Sequence, residues 1–208
     1  MAQAPSTRSD TAIDVSHWQG KNVDWAKVKA AGKLVAMIKA TQGTGTDDTW
    51  AINAPAARAA GLAVIPYMFA SNEPAQRQAD YFAVATRLSK GMAVAIDWEG
   101  NGAPPAATVE AIGLALKKVT GRDPLGYWGL NPPGTPTAVM KAWPRWIPRY
   151  GVNNGRIDNK HPVNASWLFW QYTSAATVNG VAGHVDLSVF AGSDAALLAW
   201  CRTGDLPV

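Results

Sequence analysis

The chain has 208 residues, 48% hydrophobic and 16% charged, enough for one domain with a sizeable core or at most two small ones, and too apolar for a disordered protein. The net charge of +4 suits an anionic partner, but the basic residues are scattered and form no recognisable nucleic-acid motif. The single cysteine, Cys201, excludes an intramolecular disulfide and a multi-cysteine metal site; no run of about 18 apolar residues predicts a membrane span, and the opening MAQAPSTRSD lacks the apolar stretch of a secretory signal.

The elements follow a repeating rhythm. TAIDVSHW (11–18) reads as a strand and 24–31 as a helix; LVAMIKA (34–40) as a strand and 51–60 as a helix. AVIPYMF (63–69), MAVAIDWE (92–99) and LGYWG (125–129) read as further strands, followed by helices over 75–88, 107–119 and 137–143. An internal echo supports the period: KAAGKLVAMIKA (29–40) resembles RAAGLAVIPYMFA (58–70). In each, a helical segment stops at Gly32 or Gly61, since glycine just past a helix takes positive φ without a Cβ penalty. After Trp143 the rhythm changes: RWIPRYG, SWLFWQYTS and HVDLSVFAG look like strands with no helices between them, and DAALLAWC like a closing helix.

Continuous apolar strands alternating with amphipathic helices indicate an α/β fold with a parallel sheet covered by helices. The tally favours a modified TIM-type barrel of eight strands with about five to six helices. An open doubly wound sheet is the alternative, but no G-x-G-x-x-G turn follows the first strand. No linker divides the chain, so 1–208 reads as one barrel domain with 1–11 a loose N-terminal extension. EGNGAPPAA (99–107) and LNPPGTPT (130–137) read as rim loops.

Four acids stand out on this frame. Asp14 lies in the first strand, Asp97 and Glu99 end the fourth, and Asp186 sits in the last. In a parallel barrel the C-terminal strand ends share one face, which carries the active site. Asp97 and Glu99 are two apart, so both point to one side of their strand while Trp98 points to the covering helices. Crowded carboxyls cannot all ionise freely, which leaves a protonated acid beside a carboxylate, the equipment for glycosidic bond cleavage. A lone strand-end aspartate commonly only caps a loop, and hard-cation binding is the other reading of an acidic cluster. His17, His161 and His184 have no ligand spacing to one another and read as ordinary surface or packing residues. Most of the ten Trp read as core, although carbohydrate clefts also use indole faces.

The motifs IDVSHWQG (13–20), DWAKVKAAG (24–32), IKATQGT (38–44), AGLAVIPYMFA (60–70), AIDWEG (95–100), WIPRYG (146–151), WQYTS (170–174) and GHVDLSVFAG (183–192) occur in this order. Together they resemble glycoside hydrolase family 25, the Chalaropsis-type lysozymes, from about Ile13 to Gly192. The resemblance implies a modified eight-stranded barrel and cleavage, without metal or other cofactor, of the β-1,4 bond between N-acetylmuramic acid and N-acetylglucosamine in peptidoglycan. It implies Glu99 as general acid and Asp97 as the neighbour assisting the substrate N-acetyl group, with retention of configuration, and Asp14 and Asp186 completing the acidic cleft. Tyr67, Tyr127, Trp146 and Gln171 match positions lining the substrate groove.

Two departures stand out. The family often has Glu where this chain has Gln42, and His where it has Met68; both lie at expected strand ends, where they are expected to bear on substrate preference or pH optimum. The competing functions are a barrel that holds wall glycan with little or no cleavage, and a hydrolase of chitin-like polymers. The expected partner is bacterial peptidoglycan and the expected state a monomer, with no nucleic-acid partner and no membrane insertion. An enzyme acting outside the cell or on the wall, without a visible signal, fits a phage endolysin released at lysis and equally the catalytic part of a larger secreted protein.

Overall fold

The structure, a computed structural model, describes residues 9–158, 160, 163 and 165–204. Eight strands close a barrel: β1 (Ser9–Val15), β2 (Val35–Gln42), β4 (Ala63–Phe69), β5 (Ala95–Asp97), β6 (Leu125–Tyr127), β7 (Arg145–Pro148), β8 (Phe169–Ala176) and β9 (Val185–Phe190). A two-residue strand, β3 (Gly45–Thr46), folds back antiparallel on the end of β2. The pairing runs β1-β9-β8-β7-β6-β5-β4-β2, and β1–β2 closes the ring. Among the described residues six helices accompany it: α1 (Trp25–Ala30), α2 (Trp50–Ala59), α3 (Ala75–Thr86), α4 (Ala106–Thr120), α5 (Ala138–Lys141) and α6 (Asp194–Thr203). None is long and apolar enough to cross a membrane.

The strands are apolar on both faces because each face is covered. Alternate residues Val35, Met37, Ile65, Ala95 and Leu125 fill the barrel interior. Their neighbours Ile13, Ile38, Met68 and Ile96 belong to a second core with Val109 and Ile112 of α4 and Phe82 of α3, as the period-two alternation of a strand requires. The final helix closes the lower end of the barrel. Leu197 and Trp200 of α6 join the interior core, and the Trp200 ring lies 5.6 Å from that of Phe169. Gly32 and Gly61 both take positive φ just past their helices, 87° and 82°.

Two expectations are corrected. The loose extension over 1–11 is too long: residues 9–11 lie in β1, where Asp10 accepts a hydrogen bond from the Tyr172 hydroxyl and pairs with Lys33; residues 1–8 lie outside the described residues. The barrel is also not wholly parallel. β9 runs antiparallel to both β1 and β8. Residues 177–184 hold no helix, and a connection this short cannot make the crossover of a dozen or more residues that a parallel neighbour needs, so the chain turns back on itself. The strand read over 92–99 is paired only from Ala95 to Asp97, so Glu99 stands just beyond its end.

Candidate active site

The upper rim holds a cleft of about 350 Å³ lined by all eight sequence-derived site residues: Asp14, Asp97, Glu99, Asp186, Tyr67, Tyr127, Trp146 and Gln171. Strand direction explains the convergence. The parallel strands deliver Asp14, Tyr67, Asp97, Tyr127 and Trp146 near their C-terminal ends, in register with one another through the pairs Asp97–Tyr127 and Tyr127–Trp146. Asp186 is near the start of β9, and its antiparallel course brings that start to the same rim, directly opposite Asp14.

The acids occupy different environments. Asp97 is buried, 7% exposed, and its Oδ1 has no hydrogen-bond partner among the described residues. Glu99 is exposed on the cleft wall. Between them Trp98 is buried against Trp128, and its indole N–H donates to the Pro104 carbonyl at 2.8 Å, so the alternation expected at this strand end holds. Burial and the Glu99 charge push the Asp97 carboxyl well above the usual range, against the pull of Lys39. Partial desolvation on the cleft wall raises Glu99 as well, again opposed by Lys39. Burial, then the neighbouring Asp186 charge, raises Asp14; burial, with a further push from Glu99, raises Asp186 to about 6.

Gln171 organises the floor. Its Nε2 donates to Oδ1 and Oδ2 of Asp14 at 3.0 and 3.1 Å and to Oδ2 of Asp186 at 3.1 Å. Its Oε1 accepts from the hydroxyls of Tyr127 at 2.9 Å and Tyr150 at 2.7 Å. Burial and the surrounding carboxylates raise the Tyr67 and Tyr127 hydroxyls, which keeps them protonated. Trp146 donates from Nε1 to Ser188 Oγ at 3.0 Å and packs 4.5 Å from the Tyr127 ring. Gln171 and Trp146 are 1% and 2% exposed, so both shape the floor from beneath.

Several cleft residues escaped the sequence reading. Trp18, 82% exposed, stands on a 3-10 turn (His17–Gln19) at the cleft edge, its ring 4.7 Å from that of His17. Lys39 is the one cation lining the cleft among the described residues. Period-two alternation from Met37 places Lys39 inside, and Tyr150 lies within the WIPRYG motif, so both carried a usable signal. Trp18 likewise lies within the IDVSHWQG motif, but nothing in the local pattern marks its exposure at the cleft edge.

The two departures separate. Gln42 is exposed at the end of β2 and accepts a 2.8 Å hydrogen bond from Lys39. Met68, expected on the rim, is instead fully buried in the outer core: one step along β4 from inward-facing Tyr67, it must point outward. It therefore has no direct part in the cleft. His17 donates its backbone N–H to Asp47 and places its ring Nδ1 3.2 Å from that carboxylate, and the His184 carbonyl accepts from Gln19. His161 lies outside the described residues.

Residues 13–181 match the family described as "Glycosyl hydrolases family 25". The chain is 34% identical over 210 residues to "Lysozyme M1" of Streptomyces globisporus, covering 90% of this chain and 69% of that protein. It is 32% identical over 187 residues to the "Autolytic lysozyme" of Clostridium acetobutylicum, covering 86% of this chain but only 55% of that protein. Among solved structures it is similar to the bacterial lysozyme from Streptomyces coelicolor, with 31% identity and a TM-score of 0.74 over 93% of this chain and 98% of that one.

Proposed function

The chain belongs to glycosyl hydrolases family 25, and from that premise we propose that it is a muramidase cleaving the β-1,4 bond between N-acetylmuramic acid and N-acetylglucosamine in peptidoglycan, with retention of configuration. One observation carries the division of labour: of two carboxyls on one strand end, Glu99 is open to the cleft while Asp97 is buried with an oxygen that has no partner among the described residues.

Glu99, whose affinity for a proton is raised by partial desolvation in the cleft, donates its proton to the glycosidic oxygen as that bond breaks and the electron pair leaves with the oxygen. The acetamido oxygen of the same sugar closes on the anomeric carbon, and positive charge spreads over the new ring. Asp97 faces that charge. The acetamido N–H supplies the donor that Oδ1 lacks, and this hydrogen bond favours the ionised carboxylate that burial alone disfavours. Water then opens the ring from the face the leaving group vacated, giving its proton to Glu99, and the second displacement restores the starting configuration. Asp14 and Asp186, tied to Gln171, maintain the acidic floor. Trp18 offers an exposed indole face for a sugar ring at the cleft edge.

Digestion of soluble glycan-strand fragments followed by ¹H NMR tests the proposal, comparing wild type with Glu99→Gln. The wild type is expected to release β-configured reducing ends on N-acetylmuramic acid at early times. Glu99→Gln is expected to slow release by about 10²–10⁴-fold. Early α-product would overturn retention, equal rates would remove Glu99 as the acid, and binding without cleavage by the wild type would leave a glycan-holding barrel.

A further inference from the structure

Lys39 is an inward-facing residue of β2, paired in register with Tyr67, and is nearly buried. It lines both the main cleft and an adjoining basin of about 290 Å³. Its Nζ donates to Gln42 Oε1 at 2.8 Å and lies 5.1 Å from the centroid of the Phe69 ring. Among the described residues it forms no direct ion pair. An ammonium drawn out of water needs compensation; here its hydrogen bond goes to a neutral amide, and its field falls on the acids around it.

Those acids come from several elements. Asp47, Asp97 and Glu99 act on Lys39 through charge. Asp14 and Asp186 share the main cleft with it, and His17 and Asp48 share the basin. The tyrosines lining the same cleft, Tyr67 and Tyr127, stay protonated. Asp47 is the competing counter-charge, but its oxygens are already engaged: Oδ1 accepts from Thr49 and Oδ2 from the His17 backbone. A carboxylate at position 42 would take up the ammonium locally; the amide holds it in place and leaves its charge unspent.

We infer that Lys39 is a positioning residue that sets the ionisation of the Asp97–Glu99 pair, and that the neutral Gln42 is what leaves its field on that pair; the inference rests on the muramidase reading of the cleft. A cation beside a carboxyl favours its charged form. Both limbs of the pH profile, which the Asp97–Glu99 pair sets together, are displaced to lower pH by Lys39. Glutamate at 42 would restrain that displacement, so the Gln42 departure tunes this enzyme toward acid.

The test is the pH profile of kcat/KM for wild type, Lys39→Met, Lys39→Arg and Gln42→Glu. Lys39→Met is expected to move both limbs upward by roughly one pH unit. Gln42→Glu, at an exposed position, moves them the same way by less, and Lys39→Arg leaves them in place. A role in packing alone would change the height of the profile without moving its limbs, and limbs unmoved in both Lys39→Met and Gln42→Glu would overturn the inference. A ¹³C NMR titration of the carboxyl carbons, with the Glu99 resonance identified by its loss in Glu99→Gln, reads the same coupling without substrate. A wild type that titrates as expected but does not cleave glycan would refute the muramidase reading while upholding the role of Lys39 as a charge setter.

Discussion

Gln171 joins the two halves of the cleft floor, and its amide can point only one way. Two phenolic hydroxyls offer protons to Oε1, and two carboxylates accept from Nε2. Exchanging the side chain for leucine strands four partners, of which Asp14 and Tyr127 are buried and Asp186 and Tyr150 half-buried, and each buried polar group left unmet costs about 1–3 kcal/mol. Gln171→Leu is expected to lower unfolding free energy in urea by about 2 kcal/mol or more, and also to slow cleavage because Asp14 loses the donor that favours its charge. An unchanged urea midpoint would show that the network relaxes elsewhere. Sequence reading marked Gln171 through its motif but could not assign its work, because its partners lie on β1, β6 and β9, up to 157 positions away in the chain.

At the scale of elements, strand order and cover decide where side chains can go. β6 is three residues long, and its central Gly126 has the Trp128 ring against it where a Cβ would stand. Trp128 is in turn held by Trp98 and by the Arg145 guanidinium, 3.8 Å from its ring centroid. The ring therefore has little room to move, and an added methyl acts as overpacking. Gly126→Ala is expected to lower stability by about 2 kcal/mol or more, checked by the midpoint of thermal unfolding. The same strand carries Tyr127 and adjoins Asp97, so this crowding also fixes the site. The sequence showed LGYWG as a strand, but only the packed sheet shows that its glycine makes room for an indole two residues later.

Across the whole molecule, the acid cluster of the cleft costs stability as pH rises. Asp14, Asp97 and Asp186 all have folded-state carboxyls raised by burial. The folded protein thus binds more protons than the unfolded chain, and stability falls as pH rises from the ordinary aspartate range through the value of about 6 for Asp186. Asp47 has the opposite sign: burial would raise it, but hydrogen bonds from Thr49 and His17 hold it down, and its contribution is lost as pH falls below the ordinary range. Calorimetry is expected to give a higher Tm near about pH 4.5 than near about pH 7.5, and Asp186→Asn is expected to flatten that difference. A Tm that rises steadily between those values would contradict this linkage.

The sequence by itself determined the barrel, the number of its strands and the four acids, because these are written in local pattern. Apolar runs between helices demand cover on both faces, and the D-x-E spacing sends two carboxyls to one side wherever the strand is placed. The tertiary structure decided the rest. The reversal of β9 carries Asp186 to the rim beside Asp14. The outward turn of Met68 removes one apparent departure from the site, and the inward turn of Lys39 makes the Gln42 departure matter. Burial and charge act through space, so which carboxyl keeps its proton follows from neighbours that lie far apart along the chain.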